Sequence, residues 1–282
     1  MMAMLAPQNL DAVVAIGVEN VNSKQWIGTG FLVGQKAERN PDITDIFLIT
    51  NAHVFDSLSQ VCIRFNDISA QRTLDIPLNL MINGNQKWSR HPTADVAAIY
   101  INNSYLTENN VKYRWFDLHN GPLARQDMVN CEICEGDLLY VLGFPMGVVT
   151  EIVNHVIVRS GMVSQIQSFL NNRSNDFVID SMVFPGNSGG PVLMRPEANS
   201  IVNTKAHTAC SLIGMVKSYI PYSDTAVSNQ TGKARITFEE NSGLTLVESV
   251  DSIIATVAIE INRALLEDEL TKSGKNRVYI GN

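Results

Sequence analysis

Short apolar runs separated by turn residues extend along almost the whole sequence, and they restrict the folds available to it. The runs are rich in Val, Ile and Phe, and Gly, Asn, Asp or Pro stand between them. Many short strands at such spacing are typical of sandwiches and closed barrels rather than of alternating strands and helices. We therefore predict an all-β fold. The predicted strands are 12–18, 28–33, 46–49, 61–65 and 96–101 in the first half, and 138–142, 152–158, 177–179, 192–194, 212–216 and 234–238 in the second.

The pattern also indicates how these strands are divided. The stretch 102–130 is polar, mixed in sign and weakly periodic, so we interpret it as the connection between two β-domains. One helix is predicted near the end of the chain, where apolar residues recur at helical spacing from Val250 to Leu265. Ser249 is suited to cap this helix, and Asp251 to its first turn. We expect the helix to pack on the second β-domain, and the alternative is that it forms a partner-binding face.

Composition and charge exclude several classes of partner. The chain has 282 residues, a formal net charge of -7 and a pI near 5.2. A general nucleic-acid binder needs a basic face, so we expect no nucleic-acid partner. No stretch approaches the roughly 18 apolar residues of a membrane span, and the first residues lack the basic region of a secretory signal. We therefore expect no membrane partner and a cytoplasmic location.

The four cysteines predict neither a disulfide framework nor a metal site. They are Cys62, Cys131, Cys134 and Cys210. Cys131 and Cys134 have the CxxC spacing of half a zinc site or of a redox pair, but no second ligand pair follows and no βαβ context surrounds them. We expect reduced, unligated thiols, no bound metal and no cofactor.

Three segments carry residues suited to nucleophilic catalysis. An apolar run from Phe47 leads to a single histidine, His53, whose ring can face a cleft. One carboxylate, Asp95, stands immediately before an apolar strand, where it can orient an imidazole. Ser188 lies in a glycine-rich run that begins at Gly186 and allows a tight backbone with amide N–H groups directed at an oxyanion. Together these residues predict a Ser-His-Asp constellation.

These segments resemble the trypsin-like, or chymotrypsin-fold, serine peptidases. They are most similar to the bacterial HtrA-like branch, and the resemblance extends over residues 10–265. In contrast to the HtrA proteases, we expect no PDZ domain in this chain. The runs that carry the resemblance, in the family's order of His, Asp and Ser, are Gly28-Thr-Gly-Phe-Leu-Val, Thr50-Asn-Ala-His53, Ala94-Asp95-Val-Ala and Gly186-Asn-Ser188-Gly-Gly-Pro.

The resemblance implies two six-stranded antiparallel β-barrels of the trypsin-like type, followed by a C-terminal α-helix. The N-terminal barrel would span 1–115 and carry His53 and Asp95. Residues 116–130 would link the barrels, and 131–282 would hold the C-terminal barrel with Ser188 and the helix. The active site would lie between the barrels, with His53 as the base, Asp95 as its orienting group, and the backbone N–H groups of Gly186 and Ser188 as the oxyanion hole.

The resemblance also bears on substrate preference and regulation. Met182 would lie at the base of the substrate pocket and Tyr219 near its rim. Because neither is acidic, we expect a small or medium apolar P1 residue rather than Lys or Arg. Asn187 precedes the nucleophile where digestive members have Asp, which argues against activation by N-terminal cleavage. We hypothesise instead that 168–176 or 218–242 becomes ordered when a substrate or a regulatory protein partner docks.

The residues leave three functions open. The leading one is a serine endopeptidase acting on a protein or peptide substrate. The alternatives are a catalytically silent trypsin-like scaffold that binds a partner, and an esterase that uses the same triad. The run from Gly186 to Gly190 also matches the Gly-x-Ser-x-Gly elbow of α/β-hydrolases, which places the acid and then the histidine after the serine. Only His207 follows Ser188, and no acid on a plausible strand end lies between them, so we reject the elbow.

Overall fold

The computed structural model describes residues 5–20, 23–37, 40–69, 71–197 and 205–270. Most of the regular structure in these ranges is β-strand, because the short apolar runs are separated by turn residues and are rich in β-branched side chains. The strands fall into two groups, which we call the N-terminal sheet and the C-terminal barrel.

The N-terminal sheet contains nine strands, and a separate two-stranded hairpin accompanies it. The strands of this half are β1 (Val13–Asn20), β2 (Ser23–Ala37), β3 (Asn40–Thr50), β4 (Gln60–Asp67), β5 (Thr73–Asn79), β6 (Met81–Ile82), β7 (Asn85–Gln86), β8 (Ser89–Arg90), β9 (Ala97–Ile101), β10 (Val111–Lys112) and β11 (Phe116–Asp117). The main path of the sheet is β10-β4-β1-β2-β3-β9-β8, with β5 beside β4 and β11 beside β2, while β6 and β7 form the hairpin. Its pairs are antiparallel except for β11 with β2.

The C-terminal barrel is closed by six antiparallel strands. They are β12 (Leu138–Gly143), β13 (Ile157–Gln165), β14 (Asp176–Asp180), β15 (Pro191–Met194), β16 (Leu212–Val227) and β17 (Ala234–Ser249), and they close in the order β12-β13-β14-β17-β16-β15. Closure removes the free edges that an open sheet would expose. The strands β16 and β17 continue past β15 and β14 as a long hairpin paired only with itself.

The helices are short apart from the last one. They are α1 (Pro7–Leu10), α2 (Ala52–Phe55), α3 (Asn103–Glu108), α4 (Arg125–Asn130), α5 (Gln167–Leu170) and α6 (Val250–Leu270), with a 3₁₀ helix at Pro145–Gly147. Among the helices of the described ranges, none combines the length and the apolarity needed to cross a bilayer.

Both faces of the N-terminal sheet are buried, and one of them joins the sheet to the barrel. In β1, Val14 and Ile16 belong to the interior core of the sheet, whereas Val13 and Ala15 belong to a second cluster. This alternation follows from the two-residue period of a strand. The large members of the second cluster are Phe31 and Phe47 from the sheet and Phe144, Leu193 and Met215 from the second half of the chain. One continuous apolar core therefore connects the two groups of strands.

The C-terminal helix α6 lies across both groups of strands. Its residues Val250, Ile253 and Val257 enter the shared cluster, and the helix contacts β8 and β9 as well as β16 and β17. The expectation that it packs on the second β-domain was therefore incomplete, because the helix also packs on the N-terminal sheet.

A buried ion pair between Glu260 and Arg263 explains this position. Glu260 is fully buried and accepts hydrogen bonds from Ser89 Oγ at 2.8 Å and from Tyr100 N at 3.1 Å. Arg263 donates to both carboxylate oxygens, at 2.6 and 2.8 Å, and also to Lys87 O. Burial raises the pKa of Glu260, because the loss of hydration outweighs the stabilising bonds. The Glu260 carboxylate accepts from β8 and β9, and Arg263 donates to Lys87 O just before β8, so the ion pair holds α6 against the N-terminal sheet.

The predicted fold class is confirmed: the chain is mostly β, a closed six-stranded barrel is present, and a helix follows the last strand. The N-terminal sheet has more strands than the expected six, because short strands such as β8, β10 and β11 extend it. The boundaries at residues 115 and 130 stay a prediction, and the interval between them contains β11 and α4.

The substitution Glu260→Ala should lower the free energy of unfolding by about 3 kcal/mol or more, because it removes one partner of a buried ion pair. Denaturant unfolding followed by tryptophan fluorescence measures the loss. The matched control is Glu132→Ala, which removes an ion pair with Lys205 whose side chains are both 55% exposed. The control should change the stability by less than about 0.5 kcal/mol. Equal losses in the two variants would contradict the role assigned to Glu260.

Candidate active site

The imidazole of His53 is carried by a short helix at the end of a buried strand. The strand β3 ends at Thr50, and α2 begins two residues later. Ala52 and Phe55 of α2 are buried, and the Phe55 ring packs edge-on against Trp88 with centroids 5.5 Å apart. The side chain of His53 is 50% exposed. The buried neighbours therefore anchor the helix and leave the imidazole accessible.

The loop that presents Asp95, between β8 and β9, is shaped by His91. The Nδ1 atom of His91 accepts hydrogen bonds from the backbone N–H groups of Thr93 at 3.2 Å and Ala94 at 2.9 Å. The backbone N–H of His91 donates to Val96 O at 3.0 Å, which closes the loop. Burial lowers the pKa of His91, and a neutral ring is the form that can accept these bonds. His91, which had no role in the sequence-based prediction, thus positions the loop.

Asp95 and His53 are directly hydrogen bonded. The Nδ1 atom of His53 lies 2.6 Å from Asp95 Oδ2, and the backbone N–H of His53 donates to Asp95 Oδ1 at 3.1 Å. Burial alone would raise the pKa of Asp95. The imidazole of His53 and the backbone N–H groups of His53 and Ala52 outweigh that effect and hold the pKa below its usual value. Asp95 is therefore an ionised carboxylate at neutral pH, and it directs Nε2 of His53 away from itself.

The backbone of Asp95 is held from both sides by buried side chains. Asn51 Nδ2 donates to Asp95 O at 2.7 Å, and Asp95 N donates to Glu248 Oε1 at 3.0 Å. Asn51 and Glu248 are both almost inaccessible to solvent. Asn51 directly follows β3, whereas Glu248 lies in β17 of the C-terminal barrel. Both groups of strands therefore position Asp95.

Ser188 follows a tight turn at 184–187. Asn187 N donates to Phe184 O at 2.9 Å, and Asn187 Oδ1 accepts from Phe184 N at 3.0 Å. Pro185 and Gly186 occupy the two central positions, and Gly186 has a φ of 97°. A positive φ at the third residue, after proline at the second, is typical of a type II turn. The orientation of the central peptide in this turn is therefore determined by Gly186.

Two backbone N–H groups of this segment, those of Gly186 and Ser188, donate to no acceptor among the described residues. In each case the carbonyl of the preceding residue accepts a hydrogen bond, from Met146 N at 2.6 Å and from Gly190 N at 2.8 Å. Because N–H and C=O point in opposite directions in a trans peptide, both N–H groups are directed away from those donors. No backbone hydrogen bond between described residues uses either N–H. The two groups are thus able to bind an oxyanion.

The hydroxyl of Thr29 connects this turn to the N-terminal sheet. Thr29, in β2, is fully buried, and its Oγ1 donates to Gly186 O at 2.6 Å and accepts from Phe144 N at 3.0 Å. The backbone N–H of Thr29 donates to Ser188 O at 2.9 Å. A Cβ atom on Gly189 would lie only 2.2 Å from Thr29 O. The turn cannot shift without breaking these contacts with β2.

The same contacts place Ser188 beside the segment that carries His53. A Cβ atom on Gly28 would lie 2.9 Å from Val54 Cγ1 and 3.5 Å from Ser188 O. Little more than the backbone of Gly28 therefore lies between Ser188 and Val54, the residue that follows His53. Ser188, His53 and Asp95 thus lie in one partly exposed region where the two groups of strands meet.

The two residues predicted for the substrate pocket lie in different surroundings. The Met182 side chain is 48% exposed, whereas Tyr219 is partly buried and packs against the core of the C-terminal barrel. The backbone next to Met182 is held by β17, where Thr245 Oγ1 donates to Ser181 O at 2.8 Å. Met182 therefore extends from a firmly held backbone into an open space.

The segments expected to become ordered on docking already have secondary structure. Residues 168–176 contain most of α5 and the start of β14, and 218–242 belong to β16, β17 and the turn between them. The hairpin formed by β16 and β17 exposes Tyr222, Ile236 and Phe238. The ordering of these segments on docking stays a prediction.

Three of the four cysteines have a raised pKa. All four are free thiols. Burial raises the pKa of Cys62 and of Cys210 to about 11, and burial together with nearby carboxylates raises the pKa of Cys134. Thiols of raised pKa are poor nucleophiles at neutral pH. Within the part of the chain that the structure describes, no three His, Cys, Asp or Glu side chains gather in a way that could hold a metal ion.

Thr29 and Glu248 had no role in the sequence-based prediction, although both hold the site together. Thr29 is the one polar side chain in 27–33, and Glu248 is the one charged side chain in 241–250. A buried polar side chain must find a hydrogen-bond partner, so this pattern is a signal that could have identified both residues. The backbone N–H of Met146 gives no such signal, because nearly every residue type supplies the same group.

A family model described as a trypsin-like peptidase domain matches residues 28–199, which is more than half of the chain and includes His53, Asp95 and Ser188. No curated protein matches the chain. Among solved structures, the MamO protease domain from Magnetospirillum magneticum is 16% identical, with 89% of this chain and 98% of that chain covered and a TM-score of 0.42. An inactive serine-to-alanine mutant of Rv3671c from M. tuberculosis H37Rv is 14% identical, with 89% and 87% covered and a TM-score of 0.44.

The substitution Gly186→Ala should destabilise the protein and displace the turn. Its φ of 97° disfavours any other residue, and a Cβ atom would lie 2.5 Å from Phe144 O. We expect the free energy of unfolding to fall by about 2 kcal/mol or more. The matched control is Gly232→Ala, because Gly232 also has a positive φ but nothing within 4 Å of an added Cβ. The control should lose about 1 kcal/mol, and equal losses by denaturant unfolding would show that the space around Gly186 is not restrictive.

Proposed function

This chain belongs to the trypsin-like peptidase family, and on this premise we propose that it is a serine endopeptidase. Ser188 is the nucleophile, His53 the general base and Asp95 the carboxylate that orients it. The observation that carries the proposal is the 2.6 Å hydrogen bond between His53 Nδ1 and Asp95 Oδ2. It lies in the same region as Ser188 and the two backbone N–H groups that have no acceptor within the described residues.

Acylation begins when Ser188 Oγ attacks the carbonyl carbon of the scissile peptide. Nε2 of His53 takes the hydroxyl proton as the new C–O bond forms, and the carboxylate of Asp95 stabilises the imidazolium. The carbonyl oxygen becomes an oxyanion and accepts hydrogen bonds from the N–H groups of Gly186 and Ser188. His53 then gives its proton to the leaving nitrogen, the C–N bond breaks, and the acyl group stays on Ser188 Oγ.

Deacylation repeats these steps with water as the nucleophile. Nε2 of His53 takes a proton from the water molecule as its oxygen attacks the acyl carbon. The proton returns to Ser188 Oγ as the ester bond breaks, and the new carboxylic acid leaves. Nε2 serves in both halves of the reaction because Nδ1 is held by Asp95.

We also propose that the oxyanion hole needs no activating cleavage. Thr29 Oγ1 and Met146 N bind the two carbonyls that flank Gly186, so its N–H is directed before substrate arrives. The Oδ1 atom of Asn187 accepts from Phe184 N inside the turn, and it does not require a new N-terminal ammonium as a partner. Donors that are already oriented need no rearrangement during the reaction.

Proteins or peptides are the proposed substrates, and a regulatory protein partner stays a hypothesis. The exposed apolar side chains of the hairpin formed by β16 and β17 offer such a partner a surface. The proposed cytoplasmic location is supported by the four free thiols, which are usual in reducing compartments.

Ser188→Ala should abolish reaction with a fluorophosphonate probe and lower peptide cleavage by at least about 10⁴-fold, because the proposed mechanism depends on Ser188 Oγ as its nucleophile. The control is Ser223→Ala in the exposed part of β16, which should react as the wild type does. Labelling without any peptide cleavage would favour the esterase. Absence of labelling in the wild type would overturn the proposal in favour of the scaffold.

Peptides varied at P1 should be cleaved at least about tenfold faster with Ala or Val than with Arg, because neither Met182 nor Tyr219 offers a carboxylate to a cationic side chain. Measuring kcat/KM across the panel tests this preference. Met182→Asp should raise kcat/KM for Arg relative to Val. A strong Arg preference in the wild type would contradict the assignment of these residues to the pocket.

A further inference from the structure

We propose that Glu248 and Lys217, an ion pair of the C-terminal barrel, are positioning residues for the Asp95 carboxylate of the N-terminal sheet. The inference rests on the proposed function, since it assigns these residues to the same reaction. Neither residue is assigned a contact with substrate or with the reacting atoms. They act through the backbone of Asp95.

One carboxylate oxygen receives both contacts that define this arrangement. Glu248 Oε1 accepts the backbone N–H of Asp95 at 3.0 Å and lies 3.0 Å from Lys217 Nζ. The side chain of Glu248 is only 2% exposed. Burying a carboxylate is costly unless it is paired and hydrogen bonded. The ion pair with Lys217 and the hydrogen bond from Asp95 N together meet this requirement for Glu248.

Closing the barrel does not require this carboxylate. The backbone of Glu248 pairs with Met215 on one side and with Asp176 on the other, and Val247 beside it enters the core of the barrel. An apolar residue at position 248 would pair in the same way. The carboxylate adds an acceptor for Asp95, a residue that is 153 positions away in the chain.

Lys217 keeps the charge of this region balanced. Burial alone would lower the pKa of Lys217, but its bonds to Glu248 and Asp176 raise it, so the ammonium is charged at neutral pH. With Lys217 present, the charge of the Glu248 carboxylate is compensated by an ammonium group 3.0 Å away. Without it, an unpaired negative charge would lie beside the His53–Asp95 pair and stabilise the protonated imidazole.

Other titratable groups surround Glu248 and must be considered in any pH profile. They are Lys217 from β16, Asp176 from β14, and His91 and Asp95 from the loop between β8 and β9, with His53 beyond Asp95. The described contacts thus place one cation, Lys217, directly on this carboxylate.

Two substitutions at position 248 separate the acceptor from the charge. Glu248→Gln keeps an oxygen that can accept from Asp95 N, whereas Glu248→Leu has similar size and no acceptor. We expect Glu248→Leu to lower kcat by about 30-fold with KM within about twofold, because Asp95 loses its alignment. Glu248→Gln should lower kcat by less than about threefold, because the acceptor remains.

Lys217→Met tests the charge. It should lower kcat by about tenfold, because Glu248 loses the ion pair that holds its carboxylate against Asp95 N. It should also move the acid limb of the kcat/KM profile up by about half a pH unit, because the unpaired carboxylate favours the protonated imidazole. Combining Lys217→Met with Glu248→Gln removes both charges and keeps the acceptor. The double variant should return kcat to within about threefold of the wild type and restore the acid limb.

The matched control is the exposed pair of Lys205 and Glu132, and Lys205→Met with Glu132→Gln should change neither kcat nor the pH profile. Equal kcat values for Glu248→Leu and Glu248→Gln, or no rescue in the double variant, would overturn the inference. If thermal melting shows that Glu248→Leu does not fold, the comparison of Lys217→Met with the double variant decides whether the inference holds. These outcomes are read only when the wild type reacts with a fluorophosphonate at Ser188, and a wild type that does not react overturns the proposed function together with this inference.

Discussion

The apolar face shared by the N-terminal sheet and the C-terminal barrel is the constraint on which the site depends. Phe31 and Phe47 of the sheet pack in one cluster with Phe144 and Leu193 of the second half of the chain. Burial of such side chains is strongly favourable, and close-packed interiors deform little. The cluster therefore determines the distance between the histidine and aspartate on one side and the serine on the other. The four cysteines are free thiols, so packing rather than a disulfide joins the two groups.

Apolar packing has no directional preference, so the orientation of the site comes from buried hydrogen bonds that cross the same face. Thr29 in the sheet binds the turn before Ser188, and Glu248 in the barrel binds the backbone of Asp95. Each of these polar groups would be costly to bury without its partner. Hydrogen bonds thus cross between the two groups of strands, and each group positions a candidate catalytic residue of the other.

Local patterns in the sequence predicted most of the longer strands and the last helix, and they singled out three candidate catalytic residues. They missed β5, and the strand predicted at 152–158 was wrong for most of its length, because β13 begins only at Ile157. The glycine turn before Ser188 was also predictable, because a positive φ at Gly186 is a local requirement. The prediction was incomplete where a buried side chain has its hydrogen-bond partner far away in the sequence. The apolar stripe of α6 identified a helix but not the surface that it packs on, because Glu260 finds Ser89 and Tyr100 only after both groups of strands have assembled.

The sequence by itself determined the β-character of the chain, the order of its candidate catalytic residues and the type of turn that precedes the serine. Each of these depends on side-chain period or backbone preference within a few residues. The tertiary structure decided which buried polar groups pair, because Thr29 and Gly186 are 157 positions apart and no local rule relates them. A polar residue in an apolar strand indicates that a hydrogen-bond partner is needed. Which residue supplies that partner depends on how the strands are arranged in space.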